Sequence, residues 1–107
     1  MPIKKRYPIV DIVDPSTSIV KQITIDSATD FTDIYETDFG LNEGVVVQNQ
    51  NSSENILVRH SSNDHSTKSG FLLTPGKSLF IECGNLKNVQ VVNESKTGTV
   101  NIQIIGG

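Results

Sequence analysis

Apolar and polar residues alternate most strictly near the C-terminal end, where Val100, Ile102 and Ile104 fall on one side of the chain and Thr99, Asn101 and Gln103 on the other. A period of two sends successive side chains to opposite faces of an extended backbone, so residues 99–104 predict a strand with one dry and one wet face. The same period runs through residues 19–25, with Ile19, Lys21, Ile23 and Ile25 set against Val20, Gln22 and Thr24. Residues 45–50, 55–60, 71–74, 77–83 and 88–93 are further short runs rich in β-branched residues, each bounded by turn chemistry, and predict strands. Between residues 74 and 77 stands Pro75-Gly76, which suits a type II turn: proline presets the first central position and glycine accepts positive φ at the second. Asn51-Ser52-Ser53-Glu54 predicts a hairpin joining residues 45–50 to 55–60, and the Pro-Gly and Thr-Gly signals further on predict an antiparallel meander.

Residues 26–41 are harder to place. Phe31, Tyr35 and Phe39 recur at a spacing of four, which suits one helical face, yet β-branched and aromatic residues dominate. The reading is a loop with a short strand at residues 31–36. Seven or eight short strands at this spacing predict an all-β fold, a small antiparallel β-sandwich or barrel over residues 19–107.

Residues 1–18 read as an extended N-terminal arm. Pro2, Pro8 and Pro15 each remove a backbone donor, and Asp14-Pro15-Ser16 is a turn signal. Lys4, Lys5 and Arg6 give the arm a positive charge that the rest of the chain lacks. Tyr7, Ile9, Val10, Ile12 and Val13 make it too apolar for an inert tail, so these residues are the candidate partner-binding set.

Composition narrows the picture without changing it. With 107 residues the chain suffices for one domain, Ala28 is its only alanine and it has no tryptophan, so helical folds are disfavoured. A net charge of −3, with acids and bases interspersed, argues against nucleic acid as a partner, because phosphate binding needs a concentrated basic face. No apolar run reaches the length of a signal peptide or a membrane span, so the protein is expected to stay where it is synthesised, with no membrane partner. Cys83 is the sole cysteine and alternates in phase with Leu79 and Ile81, which predicts a small buried apolar residue. Asn51 and Asn93 begin Asn-x-Ser sequons, at a frequency expected by chance in a chain so rich in Asn, Ser and Thr.

Candidate chemistry is sparse. His60, Asp64 and His65 are the one grouping of metal-ligand type, and no second cluster completes a coordination shell. Ser61, His60 and Asp64 can be drawn as a triad, but no nucleophile elbow accompanies them. Asp30 with Asp33, and Glu36 with Asp38, lack the apolar setting that acid catalysis requires. Gly76-Lys77-Ser78 follows a proline and precedes a strand, where a phosphate loop needs a helix. No catalytic, cofactor or metal site is expected. Phe80 is out of phase with Leu79, Ile81 and Cys83, so it is expected on the opposite sheet face, as a second packing surface or an exposed anchor for a partner.

From Val45 to Ile105, the Asn-rich connection, Leu-Thr-Pro-Gly-Lys-Ser-Leu-Phe-Ile, Val-Gln-Val-Val-Asn and Thr-Gly-Thr-Val-Asn-Ile-Gln-Ile together resemble the small β-sandwich accessory proteins of tailed bacteriophage particles. The resemblance implies a non-enzymatic structural protein of the virion, assembled in the host cytoplasm, that acts as a capsid decoration or auxiliary protein. The implied partners are the major capsid protein or other virion subunits, with homo-oligomer or lattice contacts, and an arm that laces onto a neighbour. A neck or tail component is the nearest variant. A carbohydrate-binding sandwich using residues 26–41 and 61–70 is the alternative of another class, and a small hydrolase has the least in its favour.

Overall fold

The computed structural model describes residues 18–61, 70–95 and 98–107. The fold is all-β, with strands β1 (Ile19–Ile25), β2 (Thr32–Asp33), β3 (Gly44–Asn49), β4 (Ile56–His60), β5 (Phe71–Leu73), β6 (Ser78–Glu82), β7 (Val89–Asn93) and β8 (Val100–Gly106). They form two four-stranded antiparallel sheets, sheet I in the order β1-β8-β3-β6 and sheet II in the order β2-β7-β4-β5. The first strand pairs with the eighth, the second with the seventh, the third with the sixth and the fourth with the fifth. The chain thus behaves as one long hairpin rolled onto itself, and this strand order is that of the eight-stranded jelly roll.

The sequence places these strands well, but two of its predicted connections are wrong. Residues 51–54 do not close a hairpin, because β3 lies in sheet I and β4 in sheet II. Nor is the C-terminal half a meander: β5, β6, β7 and β8 alternate between the sheets. Turn chemistry reverses the chain in both kinds of connection, and the choice of sheet is made by distant partners. The Pro75-Gly76 turn itself forms as expected, with Gly76 at φ 84° and the Lys77 N–H donating to the Thr74 carbonyl at 3.0 Å. It crosses from one sheet to the other. In residues 31–36 only Thr32–Asp33 is strand, held against Val91 and Gln90 of β7.

Alternation fills the space between the sheets. On sheet I, Ile104 aligns with Val47 and Val47 with Leu79, while Val45, Val47, Val100, Ile102 and Ile104 are all buried. From sheet II come Ile56, Val58, Leu73, Val89 and Val91, and Leu86 enters from a single 3-10 turn. Each such side chain contributes about 1.5–3 kcal/mol of apolar burial. Branched side chains on a pleated sheet supply this without aromatic bulk, which is why so Val- and Ile-rich a chain closes its core.

Buried asparagines bind one end of the sandwich. Asn49 is fully buried on the inner face of β3, and its Nδ2 donates to the Leu73 carbonyl at 2.8 Å and the Glu54 carbonyl at 2.9 Å, tying sheet I to β5 of sheet II. Its Oδ1 accepts from the Asn51 N–H at 2.8 Å. Asn93 ends β7 in the same way, with Nδ2 donating to Glu54 Oε1 at 2.7 Å and Oδ1 accepting from the Ser95 N–H at 2.9 Å. A buried amide costs least when its donors and acceptor are met, and those of Asn49 and Asn93 meet backbone groups left over at the strand ends and, for Asn93, the Glu54 carboxylate.

Candidate interaction surface

Strand register creates a feature on the solvent side of sheet I. Val20 aligns with Ile105, Ile105 with Val46, and Val46 with Phe80, so one apolar residue from each of the four strands falls on a single line across the sheet. Val20 is 71% exposed, Ile105 51% and Phe80 54%, with Val46 half-buried between them. The Phe80 ring leans over the backbone of Gly44: a Cβ placed there would lie 2.9 Å from Phe80 Cζ and 2.1 Å from the Ile81 carbonyl oxygen. Gly44, at φ 155°, is therefore the position that lets β6 and its ring approach β3 so closely.

A polar border accompanies this row. Two residues along each strand, Gln22 aligns with Gln103, Gln103 with Gln48, and Gln48 with Ser78. One step further, Thr24 Oγ1 donates to Asn101 Oδ1 at 2.8 Å. On the other flank Glu82 follows Phe80 on the same face of β6, and Glu43 is exposed next to Gly44. The outer face of sheet I is thus an apolar line between an amide ladder and a pair of carboxylates. An apolar core with a hydrogen-bonding rim is the composition of a protein-docking surface.

Sheet II is finished differently. Arg59 Nε donates to Gln90 Oε1 at 2.9 Å, Gln90 Nε2 donates to Asp33 Oδ1 at 2.8 Å, and the Arg59 guanidinium stacks 3.8 Å above the Phe31 ring. These contacts cover much of that outer face with the chain's own side chains, and Leu72 at the β5 edge is its exposed large apolar residue.

The sandwich opens along both seams. Between the β5 and β6 edges a cleft of about 340 Å³ is lined by Phe71, Leu79, Phe80, Ile81, His60 and Glu82 among others. At the opposite seam a cleft of about 560 Å³ lies against β1, β2 and residues 34–37. There Lys21 Nζ sits 5.6 Å from the centre of the Tyr35 ring, and Tyr35 meets Phe39 edge to face at 5.8 Å. Of the three rings spaced by four, Tyr35 and Phe39 pack against each other and Phe31 lies under the Arg59 guanidinium, and no helix forms in residues 31–39.

Some of the residues singled out for chemistry have structural partners. Asp38 accepts from Asn85 Nδ2 at 3.2 Å, next to the Asn85 side chain that caps the 3-10 turn, and Asp33 belongs to the Gln90 chain. His60 ends β4, while Asp64 and His65 lie outside the described residues. Among the described residues no three His, Cys, Asp or Glu side chains gather into a group that would hold a metal ion. Both sequon asparagines are buried and engaged, Asn51 through the Asn101 N–H at 3.0 Å and Asn93 through Glu54. Cys83 is buried, as its phase with Leu79 and Ile81 predicts. Burial pushes its thiol above the ordinary value, opposed in part by a hydrogen bond from the Asn85 backbone.

The candidate arm residues Lys4, Lys5, Arg6, Tyr7, Ile9, Val10, Ile12 and Val13 lie outside the described residues. Phe80 takes the outward position expected of it. Its companions Val20, Val46 and Ile105 were not singled out by sequence, although each leaves a signal: an apolar residue on the wet phase, in Ile19-Val20, Val45-Val46-Val47 and Ile104-Ile105. Compared with known proteins, the chain matches no family model, no curated protein and no solved structure.

Proposed function

We propose that the chain is a non-enzymatic structural protein of a phage virion, a capsid decoration or auxiliary protein that docks on the shell through the outer face of sheet I together with residues 1–18. The observation that carries this reading is the row Val20–Ile105–Val46–Phe80. Exposed apolar side chains scattered singly are ordinary; four aligned by register across a whole sheet, bordered by amides and carboxylates, form a surface that gains by being covered. Partners of this kind are the major capsid protein, other virion subunits and copies of the chain itself. Viral shells, lectins and cupins all use the jelly roll, so the architecture supports the reading without selecting it. What directs it to a particle is the likeness of residues 45–105 to phage accessory proteins. Mass spectrometry of purified particles tests it: the chain is expected in stoichiometric amount in the head fraction. Recovery with tails or necks moves it there, and absence from particles contradicts the reading.

A carbohydrate-binding module draws on one observation, the β1–β2 seam, where Tyr35 stands among Asp33, Glu36, Gln22 and Lys21. A sugar needs a free aromatic face, and Lys21 already stands over this ring. Glycan-array binding that Tyr35→Ala abolishes is the result that favours this second reading over the first.

A further inference from the structure

We propose that the edge of β6 pairs antiparallel with the β6 edge of a second copy of the chain, centred on Phe80, so that two sandwiches share one continuous sheet. The two sheets end in four edge strands, β1 and β6 in sheet I and β2 and β5 in sheet II. Such an edge is a template for another strand unless it is short, bulged or marked by lysine or proline. Strands β2 and β5 have two and three residues, and β1 carries Lys21. From Ser78 to Glu82, β6 runs for five residues without lysine or proline, in unbroken register against β3.

Register decides which backbone groups this edge offers. The Asn49 N–H donates to the Lys77 carbonyl at 3.0 Å, and the Ile81 carbonyl oxygen lies against Gly44 of β3. Because backbone direction alternates along an antiparallel strand, Lys77, Leu79 and Ile81 turn their polar groups to β3. Ser78, Phe80 and Glu82 turn theirs to the open side, where no strand meets them among the described residues. Three such residues match all three of a copy in one antiparallel register, with Phe80 opposite the partner subunit's Phe80 and Ser78 opposite the partner subunit's Glu82. Its three hydrogen-bonded residue pairs make about six hydrogen bonds.

The side chains are self-complementary in that register. A ring faces a ring, each carboxylate faces a hydroxyl, and no like charges stand opposite one another. Leu79 stands opposite the partner subunit's Ile81 on the inner side, so the copy covers the mouth of the cleft between β5 and β6, where Phe71 is 65% exposed. On the outer side the row Val20–Ile105–Val46–Phe80 continues into the copy across the two Phe80 rings. The pairing rests on the β6 edge and not on the particle role, and its test uses the isolated chain.

Sedimentation equilibrium of the full chain, from about 10 μM to about 1 mM, reads the association. A monomer–dimer equilibrium is expected, and exposed Ser78 reports its register. Ser78→Glu sets a carboxylate opposite the partner's Glu82 at two symmetric places and is expected to weaken the dimer about fivefold, whereas Ser78→Lys sets opposite charges there and is expected to tighten it by about the same factor. Circular dichroism checks that both variants keep the parent fold. A chain that stays monomeric throughout overturns the proposal. So does a dimer indifferent to both Ser78 changes, and if Val20→Lys with Ile105→Lys abolishes that dimer, the contact belongs to the outer face of sheet I and not to the edge.

Discussion

Val20 of β1 stands directly opposite Ile105 of β8, and both face solvent, while Ile104, one residue away on the same strand, is fully buried. Adjacent isoleucines on one strand thus occupy opposite environments. Ile104 holds the two sheets together; Ile105 presents a surface.

That contrast predicts unequal costs for the same truncation. Ile104→Ala removes branched carbon from a closed core and is expected to lower stability by about 2–5 kcal/mol. Ile105→Ala is expected to stay within about 0.5 kcal/mol of the parent. Urea denaturation followed by circular dichroism reads both, and equal losses contradict the assigned faces.

Gly44 predicts a second contrast. An added Cβ meets the Ile81 carbonyl oxygen at 2.1 Å, and φ 155° disfavours any side chain, so Gly44→Ala is expected to cost about 2 kcal/mol or more. At Gly40 nothing lies within 4 Å of the added atom, and Gly40→Ala is expected to change the denaturation midpoint little.

Asn49 is the buried pin between the sheets. Asn49→Ala strands the Leu73 and Glu54 carbonyls and the Asn51 N–H, for an expected loss of about 3 kcal/mol. Amide exchange at Asn51 is expected to accelerate more than at residues in the middle of β8. An unchanged midpoint contradicts this role.

Cys83 makes stability depend on pH in the alkaline range. Its folded pKa is raised because burial disfavours the thiolate, so the unfolded chain releases this proton first and the stabilisation, complete below the ordinary value of a free thiol, is lost as pH rises above it. Stability measured from pH 7 to 10 is therefore expected to fall more steeply for the parent than for Cys83→Ala. Parallel curves contradict the assignment.

The sequence shows strands because alternation is local. Residues 19–25 and 99–104 carry their own faces in their own residues, and Pro75-Gly76 carries its own turn. Sheet membership is legible nowhere in this way: residues 51–54 look like a hairpin turn, yet Asn49 and Asn51 there serve a crossing between sheets, chosen by pairing with β8 and β7 far along the chain. The apolar row is hidden for the same reason. Val20, Val46, Phe80 and Ile105 come from four separated segments, and only the register of β1, β8, β3 and β6 brings them into line.

The most direct measurement is co-sedimentation with empty phage capsids of the parent chain and of the double variant Val20→Lys, Ile105→Lys, whose positions are both exposed, with circular dichroism checking that the variant folds. The parent is expected to pellet with the shells and the variant to bind at least about tenfold more weakly, because two cations replace two of the four residues of the apolar row. Binding of the variant as tight as that of the parent, or no binding by either, contradicts docking through this face.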